Sequence, residues 1–509
     1  MTLQGSVHRE RIFWLLCLPA LIAGLIARVA LELHFPYAYL QADSADFLIT
    51  AERLMIHHEL VLHGKKVFLT PVLFTLPFLV RLPALLVIPA MQHLLGLLLT
   101  VMTGALVRLW FAHWRWFIVP VTLLAALNPA SLWYEHALLA EFHFLFCITG
   151  LALVGSVFAR EPTRRHFIWL LVALFLTAGS RPEGKLFLPF ALLLVILTYF
   201  GQGRIFWQRV AVTLAASAVI WLSGRSTQAG LLLYATVLPL APDVPKSAPD
   251  FAPFINPLRD QYRAEGETVR LKMTTAEKAV NEIVQRYFST QKNRGELRGS
   301  ERDVSGFCQR LAVEAMLHKP WLLPAIAVNK LIAGCKSPSS GGYTEYWVRT
   351  KQYDSFTHKK WLTELLPGLT GEKITTDEQA IDFVARKYQP LQPDWFEVLQ
   401  RGWNTMTIRY RVGNVEARAG ALRALPLFFW IALVGGIVGT VRPLWRVHVA
   451  WLLGLLGVWF LVLLTGVVNP RYRFAFEPFC LIYIFLLVDS IWLFAEATFR
   501  KHLTERPTT

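Results

Sequence analysis

Four groups of ionisable residues stand where apolar stretches of this sequence break, and their types point to one chemistry. Asp43 and Asp46 lie in Gln41-Ala-Asp-Ser-Ala-Asp-Phe47. Positions three apart share a face of a helix, so both carboxylates could point one way; a solvated loop is the other reading. Glu141 follows in Leu138-Leu-Ala-Glu-Phe142, at the start of an apolar run where an acid also complements a helix N-terminus. Glu135 and His136 stand a turn earlier as weaker candidates. Arg181 and Glu183 flank a proline in Arg181-Pro-Glu-Gly184, and Arg471 and Arg473 alternate in Asn469-Pro-Arg-Tyr-Arg473, ahead of Glu477. A guanidinium fork binds phosphate through paired hydrogen bonds, although arginines in a solvated turn would look the same. An aspartate can take a proton from a hydroxyl or amine while arginines hold a departing phosphate. The set fits a centre that binds a lipid-borne phosphate and deprotonates an acceptor. Asp43 and Glu141 could also hold a hard divalent cation, the one cofactor expected.

The elements that must position these residues are membrane helices. The chain has 509 residues, 54% hydrophobic and 17% charged, with a net charge of +16. Its apolar residues come in blocks long enough to cross a hydrocarbon layer of ~30 Å, which takes about 20 residues of helix. Ten candidate spans are legible, at 12–31, 85–111, 117–134, 139–159, 167–179, 185–200, 210–223, 425–441, 447–468 and 479–497. The first could pass for a signal peptide, but Glu32, Leu33 and His34 follow it where small residues would mark a cleavage site, so a retained helix is expected. The spans read as apolar throughout, with charge gathered on the rim.

Basic residues alternate with acidic ones from loop to loop. Arg9, Arg11, Arg108, Arg115, Arg160, Arg164, Arg165, Arg204, Arg209, Arg442, Arg446, Arg500, Lys501 and Arg506 fall on one side. Asp43, Asp46, Glu52, Glu59, Glu135, Glu141, Glu183 and Glu477 fall on the other. The positive-inside rule makes the first side cytoplasmic, with both termini inside. The all-α architecture expected is a module at 1–224 with about seven spans and a first outer loop at 32–84, a mainly helical extracytoplasmic domain at 225–423, and a module at 424–509 with about three spans. A bacterial inner (plasma) membrane fits this plan. The stretch 67–82 is apolar but broken by Pro71 and Pro77, which fits a shallow re-entrant or interfacial helix better than a span.

In the hydrophilic stretch a Pro-rich opening at 239–257 precedes helical patterns at 274–288, 307–317, 321–332 and 377–388. Cys308 and Cys335 both fall there and would either pair in an oxidising compartment or stay free. Nucleic-acid binding is not expected, because the cationic excess sits in loops where topology requires it. No Walker or Rossmann signature is present, which argues against an ATP-driven pump and against a soluble nucleotide-sugar donor.

The ordered set of motifs resembles the GT-C class of glycosyltransferases, polytopic enzymes that take a sugar from a polyprenyl-phosphate carrier. It is most similar to the bacterial relatives of protein O-mannosyltransferases and of the lipid A aminoarabinose transferase. Asp43 through Leu54 looks like that family's Asp-x-x-x-Tyr-x-x-x-Ala loop, with Asp43 on its catalytic aspartate and Phe47 where the family has tyrosine. Lys66 through Leu82 is similar to its lysine–proline amphipathic segment, although Val67-Phe68-Leu69-Thr70 separates the lysine from Pro71. Leu127-Asn-Pro through Glu141 resembles the segment carrying the second carboxylate, and Arg181-Pro-Glu-Gly184 the family's Thr-Arg-Pro-Glu-Gly. Asn469 through Pro478 resembles its last outer loop. The likeness covers the membrane half of the chain and leaves 225–423 unaligned.

The resemblance implies an inverting transferase whose lipid-phosphate donor enters laterally from the membrane and whose acceptor is a protein, lipid or glycan. Asp43 would be the base, Glu141 and Asp46 would assist, and Arg471, Arg473, Arg181 and Lys66 would bind the donor phosphate. A transporter or flippase of a lipid-linked sugar is the alternative; it needs no base and should place charges inside the membrane. An assembly subunit acting through 225–423 would need neither Asp43 nor Glu141.

Overall fold

The computed structural model describes residues 3–39, 44–56, 58, 68–222, 229–264, 273–291, 301–327, 379, 393–409, 426–465 and 471–504. Helices dominate, and the described residues contain no strand beyond an isolated bridge between Tyr39 and Ala137. The first helix, α1 (Leu3–His34), is followed by α2 (Ser44–Ile56) and two short helices, α3 (Leu69–Leu73) and α4 (Leu76–Leu79). Then come α5 (Ala84–Trp110), α6 (Trp114–Ala126), α7 (Pro129–His136), α8 (Glu141–Arg160), α9 (Arg164–Ser180), α10 (Leu188–Tyr199) and α11 (Arg204–Leu222).

Among the described residues, five helical stretches are long and apolar enough to cross a membrane: His8–His34, Ala84–Trp110, Glu141–Arg160, Pro182–Tyr199 and Glu477–Arg500. The sixth is bent. The expected straight span at 117–134 is instead α6 and α7, joined at an angle of 43°. The cause is local: Pro129 opens a new helix at a position where its missing N–H costs nothing. Asn128 caps that helix by accepting hydrogen bonds from Ala130 N and Ser131 N. The stretch Leu69–Leu79 is 11 residues long, about 16 Å at 1.5 Å per residue, too short to cross. Its Val72, Leu76 and Leu79 are exposed, as an interfacial helix pair requires.

One apolar core runs through α1 to α10 and on into the C-terminal helices α17 (Leu427–Gly439), α18 (Trp445–Thr465) and α20 (Glu477–Thr504). A second core belongs to the hydrophilic stretch. There α12 (Ala229–Val237), α13 (Ala252–Ala264), α14 (Met273–Gln291) and α15 (Glu301–His318) bury Tyr234, Phe251, Val284, Phe307 and Leu311. The sequence patterns at 274–288 and 307–317 fall inside two of these helices, whereas 377–388 lies outside the described residues apart from Gln379. Cys308 is buried in this core as a free thiol, and burial pushes it up to about 12; Cys335 lies outside the described residues. Glu314 accepts hydrogen bonds from the Ser247 hydroxyl and from the backbone N–H groups of Ser247 and Lys246, tying the Pro-rich opening to α15.

A buried carboxylate joins the N- and C-terminal halves. Asp489, in α20, accepts from Ala112 N at 2.9 Å and His113 N at 3.0 Å, satisfying the turn between α5 and α6. It also pairs with Arg442, which reaches it from the turn before α18. Removing one partner of a buried ion pair strands the other charge, which costs about 3–5 kcal/mol. Asp489→Ala should therefore lower the unfolding temperature of the detergent-solubilised protein by several degrees. An unchanged melting curve would show that this junction does not hold the halves together.

Candidate functional site

The lip of the helical bundle is assembled from four stretches far apart in sequence. Tyr39 N donates to His136 O at 2.8 Å, and Leu138 N donates to Tyr39 O at 3.0 Å. Ser44 is buried, and its hydroxyl donates to Leu138 O at 2.9 Å. The residues on either side of 40–43 are thus both tied to the turn that leads into Glu141. Burial, with the nearby charge of Glu32 second, raises the Tyr39 phenol above its ordinary range, so it stays neutral.

Phe68, Thr70 and Phe74 bring α3 to the same place. Thr70 Oγ1 lies 3.4 Å from His143 Nδ1, Phe74 packs edge-on against His143, and Phe47 packs edge-on against Phe74. Phe68 occupies the space beside Gly179, where any side chain would collide with its ring.

Glu141 opens α8 and is buried, as is Arg181 just after α9. Arg181 Nη1 stands 2.6 Å from Glu141 Oε1, and Arg181 Nε donates to Glu183 Oε2 at 3.0 Å. The backbone turn that makes this possible is written in Arg181-Pro-Glu-Gly184. Pro182 starts a short 3₁₀ helix (Pro182–Phe187), and Gly184 passes so close to α9 that a Cβ would come within 1.9 Å of Thr177 O. One guanidinium therefore bridges two carboxylates at the end of α9.

Arg473 belongs to a second pair. In the short helix α19 (Arg471–Phe474) it is buried and its Nε donates to Glu477 Oε1 at 2.5 Å. Glu477 Oε2 accepts from Trp403 Nε1 at 2.8 Å, on α16 (Asp394–Asn404), so the hydrophilic stretch closes over this end of the C-terminal module. The short helix α19 packs on α8, and Phe474 packs against Tyr134 with the rings tilted by 34° and their centroids 4.3 Å apart.

Of the residues expected at the site, the structure brings Glu141 and Arg181 into direct contact and holds Arg473 on a helix packed against Glu141's own. Asp43 and Lys66 lie outside the described residues, and the side chains of Asp46 and Arg471 do as well. The Glu141 carboxylate is engaged through Oε1 by the Arg181 guanidinium.

A further polar cluster lies deeper, and it corrects the expectation of apolar spans. Arg28, within α1, is 2% exposed and forms a two-pronged pair with Glu135, through Nε at 2.7 Å and Nη2 at 2.6 Å. Its Nη1 donates to Gly24 O and Ala126 O. Glu135 also contacts His93 Nδ1 at 2.9 Å, and His93 Nε2 lies 3.1 Å from His136 Nδ1. Gln92 Nε2 donates to the carbonyls of Glu135 and Ala137. The sequence signal was available: Arg28 and Gln92-His93 interrupt otherwise apolar runs, and ionisable groups at membrane depth are expensive enough to be informative. No family model matches this chain, and no curated protein is significantly similar to it.

The lip makes a specific demand on stability. Arg181→Ala would leave two carboxylates, one of them buried, without that guanidinium, and should lower the unfolding temperature clearly more than Glu183→Gln, which removes only the half-buried partner. Equal effects in thermal melts would show that Glu141 is satisfied without Arg181.

Proposed function

We propose that the chain is a membrane glycosyltransferase that moves a sugar from a polyprenyl-phosphate carrier to an acceptor outside the cytoplasm. The observation that carries this reading is the Glu141–Arg181 pair at a lip to which the residues flanking the first loop are also tied. Acid and guanidinium groups from separate stretches meet there, in a setting with little water. Such groups are worth more in a low-dielectric site than in solvent.

In this reading the chain crosses the membrane ten times. Both termini are cytoplasmic, the domain at 225–423 is extracytoplasmic, and the membrane is the bacterial inner membrane. Asp43, one residue before the anchored Ser44, acts as the base. It takes the acceptor's proton as the acceptor oxygen or nitrogen attacks the sugar's anomeric carbon and the polyprenyl phosphate leaves. Asp46 assists it. Arg181 is poised between two carboxylates and can turn toward the departing phosphate as charge develops there. Arg471, Arg473 and Lys66 supply the remaining positive charge. Glu141 acts by holding Arg181, as a positioning residue. The chemistry of the reaction leaves the acceptor open among protein, lipid and glycan.

One observation favours a second reading. The Arg28–Glu135–His93 network lies inside the bundle, where a transporter or flippase of lipid-linked sugars would carry its charges. The two readings separate cleanly. Purified protein in detergent, given polyprenyl-phosphate sugars and a candidate acceptor mixture, should release free polyprenyl phosphate, and Asp43→Asn should reduce release by at least 10²-fold while leaving expression and melting temperature unchanged. Full turnover by Asp43→Asn would remove the base assignment. Movement of intact donor across liposomes without cleavage would establish the transporter instead.

A further inference from the structure

Beneath the lip, three side chains from three helices converge without any part in the proposed transfer. Glu32 near the end of α1, His93 within α5 and His136 at the end of α7 each bring one potential ligand atom within 4.8 Å of the others. His93 Nε2 is 3.1 Å from His136 Nδ1 and 3.7 Å from Glu32 Oε1. Donor atoms around a tetrahedral zinc ion, with bonds of about 2.0–2.2 Å, stand about 3.4 Å apart. The two gaps bracket that length.

The surroundings match a ligand set rather than an incidental histidine pair. A metal-bound imidazole almost always gives its other N–H to a carboxylate or carbonyl, which fixes its tautomer. His93 does this: its Nδ1 is 2.9 Å from Glu135 Oε2, so the Nε2 lone pair faces His136 and Glu32. Glu135 is itself held by both prongs of Arg28 and by the Ser131 hydroxyl. Space for that carboxylate depends on Gly96, where a Cβ would come within 2.4 Å of it. Glu32 Oε1 is buried and accepts no hydrogen bond among the described residues. The Glu32 side chain as a whole keeps 25% of its surface exposed, which leaves a route in for an ion.

We propose that Glu32, His93 and His136 form a binding site for a divalent transition-metal ion of the zinc type. Two imidazoles and one carboxylate suit zinc, cobalt or copper, whereas magnesium and calcium take oxygen ligands. Three protein ligands leave a fourth position open for water. The site binds α1, α5 and α7 together just below His136 O, which accepts from Tyr39 N. A bound ion therefore steadies the turn on which Ser44 is anchored. The proposal stands apart from the transferase reading, because it needs neither Asp43 nor a donor.

The test is a cobalt titration of untagged, full-length protein in detergent after dialysis against a chelator. Wild-type protein should develop visible ligand-field absorption that saturates at one equivalent and is displaced by one equivalent of zinc. His93→Ala and His136→Ala should abolish the band, Glu32→Gln should weaken binding at least tenfold, and Glu135→Gln should weaken it about 10–100-fold. Variants are compared only where they elute as monodisperse as wild type, and the wild-type titration decides the matter if none does. Asp43→Asn should bind cobalt as wild type does, whether or not it transfers sugar. No saturable band in wild type would overturn the proposal and leave His93 and His136 as a hydrogen-bonded pair; so would undiminished binding in a well-behaved His93→Ala protein.

Discussion

A charge removed from water must carry its partner with it, and in this chain that constraint organises the upper half of the bundle. Arg28 and Glu135 are separated by 107 positions, yet neither is tolerable at its depth without the other. Their pairing fixes α1 against the break between α6 and α7, since Arg28 also donates to the carbonyl of Ala126 at the end of α6. Gln92 then clamps α5 to the far side of the same break. Once His136 and Ala137 are held, Tyr39, Leu138 and Ser44 follow by backbone and hydroxyl hydrogen bonds. The lip inherits its shape from a buried ion pair below it.

The same rule is applied at both ends of the molecule. At one end Asp489 gathers Arg442 and the two N–H groups of the α5–α6 turn, and it needs all of them because it is fully buried. At the other, Arg181 lies between Glu141 and Glu183, and Arg473 beside Glu477. A guanidinium held between carboxylates is oriented in advance and largely stripped of water. That arrangement also means that Arg181 and Arg473 are not a loose positive patch, since each is matched to an acid of the chain.

Much of the helical scaffold was legible because membrane crossing imposes a crude requirement, long apolar runs, that survives any detail of packing. A helix lies at every stretch read as a span, with one of them broken in two. The break at Leu127-Asn128-Pro129 was legible in principle, since an N-capping asparagine before proline starts a helix; the apolar residues on both sides hid it. The pairing partners were harder. Arg473 and Glu477 share a helix face at i and i+4, a spacing that sequence displays, but Arg181 finds Glu141 and Arg28 finds Glu135 only through the tertiary fold. No local pattern names such partners. Arg28 is hidden in the sequence because a single arginine barely alters the apolarity of a 20-residue window, although its energetic weight there is large.

The central claim is that the lip formed by Ser44, Leu138, Glu141 and Arg181 receives the phosphate of a lipid-linked sugar. Photolabelling with a polyprenyl-phosphate sugar carrying a diazirine beside the phosphate tests it most directly. The account predicts that labelled peptides come from 138–142, 181–184 and 471–477, and that unlabelled donor competes the labelling away. Competable labelling confined to helices remote from the lip, or labelling that the donor cannot displace, would contradict it.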